Sequence, residues 1–128
     1  MTKAKVLWLS RHEMTKEQVD DLLKTTDGWD GFEIETENHL WSATASEEAD
    51  LAENARFLKY AFAKADIVAG VFPPVALEAL REMRREFRQR AGSEPFWCVA
   101  TPVSEQTREE RADGTAQITF RHVRWAFL

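Results

Sequence analysis

Ser10, Arg11 and His12 stand side by side at the end of an apolar run, in "LWLSRHE". A histidine titrates near neutral pH and can move a proton. A guanidinium next to it can hold phosphate oxygens through paired N–H donors. Two further segments carry polar or aromatic groups of the same kind. "NHLWS" brings Asn38, His39, Trp41 and Ser42, and "TPVSEQTRE" brings Thr101, Ser104, Gln106, Thr107 and Arg108. Trp41 offers a flat face on which a base could stack. A nucleotide-like or phosphodiester ligand fits these parts.

Each residue also has a plainer reading. His12 can be a polar loop residue, and Trp41 a plug beneath its loop. His122, in "FRHVRW", reads either as a hydrogen-bonded structural histidine or as a site residue. Arg121 and Arg124 beside it can pair with acids on a neighbouring element. Arg81, Arg84, Arg85 and Arg88 alternate with Glu78, Glu82 and Glu86, as on a solvated helix face.

The elements that must position these groups read as follows. "KVLWLS" (5–10) is a short continuous apolar run, as in a strand covered on both faces. Residues 14–26 are a helix. Thr15 and Gln18 form its capping box, Met14 and Val19 its staple, and Asp27-Gly28 its stop. "GFEIET" (31–36) alternates, as in a strand with one wet face near a sheet edge. Thr44 and Glu47 suggest a second capping box. The helix behind it spans 46–64, with Leu51, Ala55, Leu58 and Phe62 as its apolar stripe. "DIVAGVF" (66–72) is a buried strand, and Pro73-Pro74 stop it and open a helix over 75–91 that ends at Gly92. "PFWCVA" (95–100) is a fourth strand, residues 101–116 a polar loop, and residues 117–128 the last strand. That strand changes phase. Ile118 and Phe120 share one face and Val123, Trp125 and Phe127 the other, and a bulge or a face change near Arg121-His122 would explain that.

The order βαβαβαββ predicts one α/β domain over residues 1–128. It is a three-layer, Rossmann-like fold with a mostly parallel sheet and an antiparallel last strand. Ligands of such sheets bind beyond the carboxyl ends of the strands. That rule gathers Ser10–His12, the 38–42 segment, Pro73-Pro74 and the segment from Thr101 to Arg108 on one rim.

Composition narrows the classes. A net charge of −5 argues against duplex DNA, although it leaves room for a local basic pocket. No apolar run reaches the ~20 residues of a membrane span. The first residues lack a signal-peptide core, and the lone Cys98 reads as a buried, reduced thiol, so a cytoplasmic protein is expected. There is no GxGxxG, Walker A loop, H-E-x-x-H or C-x-x-C, so neither a cofactor nor a metal is called for. A Ser–His–Asp triad stays open, without a nucleophile elbow.

Three stretches together resemble the small stand-alone CRISPR-associated ring nucleases of the Csx type, which have CARF-like Rossmann domains. They are "LSRHEMTKEQ" (His12, Thr15 and Gln18), "LWS" at residues 40–42, and "FRHVRW" (Phe120, His122, Val123 and Arg124). The order and spacing of the elements agree over nearly the whole chain. The resemblance implies a homodimer with a cyclic oligoadenylate, cyclic tetra-adenylate foremost, across the subunit interface. It implies metal-independent cleavage by 2′-OH attack, leaving a 2′,3′-cyclic phosphate and switching off type III CRISPR signalling. His12 is then the proton donor, and Arg11 or Arg108 the phosphorane stabiliser. The rule for parallel sheets adds Ser10, His39, Trp41, Ser42, Thr101, Ser104 and Thr107 as the expected lining of the ligand. One departure stands out: Phe72-Pro73-Pro74 replaces the Gly-rich turn of the relatives, and proline offers no N–H. The alternatives are a non-catalytic CARF-like binder or a small interaction protein of a mobile element. "LSRHE" also resembles the Arg-His-Gly motif of histidine phosphatases, with Glu13 in place of the glycine.

Overall fold

The computed structural model describes residues 2–26 and 28–128. Five strands and three helices follow one another as β1 (Lys3–Leu9), α1 (Lys16–Thr25), β2 (Gly31–Glu37), α2 (Glu47–Lys64), β3 (Ile67–Gly70), α3 (Pro74–Ala91), β4 (Cys98–Glu110) and β5 (Ala116–Phe127). This is the βαβαβαββ order read from the sequence. The sheet order is β2-β1-β3-β4-β5, with the first four strands parallel and β5 antiparallel to β4.

Hydrophobic burial holds the helices to both faces of the sheet. Leu7, Leu9, Val68 and Val99 pack under Leu58 and Ala61 of α2 and Ala76, Leu80 and Met83 of α3. On the other face Ala4, Val6, Trp8, Ile67, Ala69 and Trp125 pack with Leu22 of α1. Cys98 is half-buried there, and burial pushes its thiol upward.

The local signals worked where chemistry at the helix ends was unambiguous. Thr15 caps α1 with the expected reciprocal pair: the Gln18 N–H donates to its Oγ1, and the Thr15 N–H donates to the Gln18 side chain. The expected stop at Asp27-Gly28 includes Asp27, which lies outside the described residues. Gly92 ends α3 at φ 70°, a left-handed position that disfavours side chains. The predicted second capping box is corrected. Ser46 caps α2, receiving the Ala49 N–H, while the Thr44 hydroxyl is drawn to Asp50.

A larger correction concerns residues 101–116, which are not a loop. β4 leaves β3 after Ala100 and continues to Glu110, paired with β5 alone, and only residues 111–115 turn. The result is a long hairpin arm beyond the carboxyl rim, exposed from residue 104 through 121. A register shift between Val103 and Ser104 leaves Val123 as the extra residue of a bulge. The bulge resets the alternation. Ile118, Phe120, His122, Trp125 and Phe127 all pair with alternate β4 residues from Arg108 down to Ala100, and so share the α1 face. Of the two explanations for the change of phase, a bulge or a change of face, the structure has the bulge, one residue past His122.

Candidate functional site

The chain crosses from β1 to β2 on one side of the sheet and returns to β3 on the other, so β1 and β3 flank a topological switch point. Such a point opens a crevice at the carboxyl ends of the strands. Here the two strands approach closely. A Cβ on Gly70 would stand 2.9 Å from the Leu9 Cβ, so glycine is required where β3 ends.

The loop after β1 is fixed by its backbone. The Ser10 N–H donates to the Glu37 carbonyl at 3.0 Å, and the His12 N–H donates to Ser10 Oγ at 3.1 Å. The Trp8 indole N–H donates to the His12 carbonyl at 2.7 Å. The side chains of Arg11 and His12 stay exposed, and neither takes part in a side-chain hydrogen bond among the described residues. An exposed imidazole and guanidinium on a held backbone can meet an anionic ligand without dismantling the fold.

The loop after β2 is built from its side chains. Ser42 exchanges two hydrogen bonds with the Asn54 amide, at 2.9 and 3.0 Å, and its hydroxyl donates to Asp50 at 2.8 Å. Thr44 donates to Asp50 from both its N–H and its hydroxyl. These donors, Thr44 foremost, hold the Asp50 carboxyl below its ordinary range. Trp41 packs edge-on against Phe57 and His39 and tilts onto Phe72, as a plug beneath the loop. His39 stacks on Phe57 with centroids 3.4 Å apart. Burial lowers its pKa, opposed by the charge of Glu37. The His39 Nε2 and one oxygen of Glu37 are buried with no partner. A cleft of about 240 Å³ opens here, lined by His39, Leu40, Phe57 and Tyr60 among others.

The third wall is poor in donors. Pro73 and Pro74 open α3, Pro74 has no N–H, and the Ala76 N–H already donates to the Pro73 carbonyl.

The fourth wall lies elsewhere than expected. Thr101 is half-buried where β4 leaves the sheet, but Ser104, Gln106, Thr107 and Arg108 climb the arm. Thr107 meets Thr119 across the hairpin, and Arg108 lies 3.9 Å from Glu110. Arg108 is eight positions past Ala100 along β4, about 26 Å of extended strand. The expected rim is thus split, with Arg11 and His12 at the switch point and Arg108 on the arm.

His122 is held from α1. Its Nε2 lies 2.8 Å from an Asp21 oxygen, its side chain is 7% exposed, and its Nδ1 is buried without a partner. The neighbouring Trp125 N–H donates to the Gln18 carbonyl, so two contacts fasten the base of the arm to α1. Arg121 pairs with Glu105, as foreseen for an acid on a neighbouring element, while Arg124 is exposed. On α3, Arg85 pairs with Glu82 and Arg88 with Glu94, in keeping with a solvated face.

The residues the sequence did not single out are Asp21, Asp50 and Asn54. A polar residue on the inward stripe of α2 was the available signal for the last two. Among the described residues, no cluster of three His, Cys, Asp or Glu could hold a metal ion, and no helix is long and apolar enough to cross a membrane. Comparison with known proteins gives no matching family model, no matching curated protein and no matching solved structure.

Proposed function

We propose that this chain binds and opens a cyclic oligoadenylate at the β1/β3 rim, as a CARF-like Rossmann ring nuclease acting as a homodimer in the cytoplasm. One observation carries the reading: Arg11 and His12 project freely from a loop whose backbone is already fixed at the switch point. In this reaction a ribose 2′-oxygen attacks the adjacent phosphorus in line and loses its proton to solvent. The bond from phosphorus to the 5′-oxygen breaks, and His12 supplies the proton that the departing 5′-oxygen needs. Arg11 stabilises the charge gathering on the phosphorane oxygens. The products are a 2′,3′-cyclic phosphate and a 5′-hydroxyl, and a type III CRISPR messenger is removed.

The second reading is a binder that does not cut. It is favoured by the distance of Arg108 along the arm and by the scarcity of N–H donors at Pro73-Pro74. Incubation with cyclic tri-, tetra- and hexa-adenylate, followed by product analysis, separates the two. Linear products with 2′,3′-cyclic ends in the presence of chelator support the nuclease. Tight binding without products supports the binder. Neither binding nor products ends both readings.

A further inference from the structure

We propose that the outer edge of β5, residues 116–122, is a self-association surface: the same strand of a second copy adds to it antiparallel, about a two-fold axis through Thr119.

The arm needs a partner on physical grounds. β5 is the last strand of the sheet, so its outer row of N–H and C=O groups faces no strand of its own chain. From residue 104 through 121 the arm is exposed, with Ile118 51% and Phe120 72% accessible. A two-stranded ribbon without a third strand or a covering layer is marginal in water.

The two edges of the sheet are also treated differently. β2 carries Glu33 and Glu35, and Lys64 of α2 bridges to Glu35 at 2.8 Å. Charges of this kind blunt an edge against further pairing. From Ala116 through Phe120, β5 has no charge and no proline, and its bulge lies below, at Val123. That stretch is left open to pairing.

The side chains say which strand fits. Antiparallel pairing about Thr119 sets Ile118 opposite Phe120 of the second copy, and Phe120 opposite its Ile118. Aromatic and β-branched residues favour each other as cross-strand pairs. On the other face Gln117 stands opposite Arg121, whose charge is already matched within its own chain by Glu105. Thr119 meets itself. No like charges oppose one another, whereas an axis through Arg121 would set that guanidinium against its own copy. This self-complementarity is why the occupant is a second copy rather than an unrelated strand. The arrangement turns the two carboxyl rims toward each other, and it does not depend on the ligand reading.

The test uses the full chain without nucleotide. Light scattering at tens of micromolar is expected to give a dimer. Thr119→Cys, in a Cys98→Ala background, is expected to cross-link to itself with a short bismaleimide, and Glu33→Cys on the other edge is not. Ile118→Lys with Phe120→Lys should weaken dimerisation on the order of 100-fold. Both positions are largely exposed, so the circular dichroism of the folded chain should persist. A monomeric wild type, a dimer that survives both lysines, or a Thr119→Cys chain that cross-links no better than Glu33→Cys each overturns the proposal. So does a wild-type monomer that takes up an extended peptide of another sequence.

Discussion

The loop after β1 is held at its backbone and leaves Arg11 and His12 free, whereas the loop after β2 commits its side chains to the scaffold. His12 is held through its main-chain N–H and carbonyl, and Ser10 through its N–H and its hydroxyl oxygen, so the side chains of Arg11 and His12 keep their chemistry for something else. Ser42, Thr44 and Trp41 have theirs consumed by Asp50, Asn54 and the aromatic cluster. Loops of similar polarity in the sequence thus divide the work. Arg11 and His12 can change without cost to the fold, whereas Ser42, Thr44 and Asn54 cannot.

The sharpest test of that contrast is His12→Ala. Cleavage measured in a single turnover should fall ~10²–10⁴-fold, the usual worth of a placed proton donor. Thermal stability should stay within about 0.5 kcal/mol, as for an exposed side chain without partners. A loss of stability with cleavage intact would reverse the contrast.

On the other loop, Asn54→Ala leaves the Ser42 N–H and carbonyl without their partners in a nearly solvent-free place. Urea denaturation should show a loss of about 2–4 kcal/mol. A loss below half a kilocalorie would mean that water readily replaces the amide.

Asp50 adds a pH dependence of known sign. Its folded pKa lies below the ordinary 3.8, chiefly because Thr44 donates to it. The stability it contributes is therefore fully present above the unfolded value and is lost as pH falls through the depressed folded value. The gap in stability between wild type and Asp50→Asn should be widest near pH 7 and narrow below pH 4. A gap unchanged at pH 3 would remove the carboxylate charge from the account.

The smallest effect is expected for Arg11→Ala, with about tenfold weaker binding of the cyclic oligonucleotide at low salt and less at high salt. Isothermal titration at two ionic strengths reads both. An affinity that does not change with Arg11 would move phosphate recognition off this loop.

The parts of the fold that were legible in the sequence share one property: burial on a regular period. Val6 through Leu9 and Ile67 through Gly70 are apolar without a break because both faces of their strands are covered. The β2 edge was readable from Phe32 and Ile34 alternating with glutamates. The arm was not. Ser104, Gln106 and Arg108 lie on one face and Glu105, Thr107 and Glu109 on the other, and both faces are wet, so no alternation marks the strand. Cap choice failed for a related reason. Thr44 and Ser46 are equivalent as caps in one dimension, and only the approach of Asp50 in space decides between them. At the site, the sequence brought Ser10, Arg11 and His12 to the carboxyl rim beside the switch point, where the structure also has them. It could not separate a tryptophan that faces a ligand from one that plugs a loop, because both call for the same apolar ring.

Val123 has a consequence for how this molecule can vary. Side chains alternate along a strand, so a single extra residue would reverse everything beyond it unless the strand takes it up as a bulge, as it does here. Deleting Val123 would therefore restore plain alternation: His122, Phe120 and Ile118 would keep their partners Ser104, Gln106 and Arg108 and their side of the ribbon, and only the local kink and added twist would go. Adding or removing opposed residues at the tip, around Asp113 and Gly114, would leave that orientation untouched. Length and bend are therefore under separate control, one at the far end of the arm and the other in a single residue at its root.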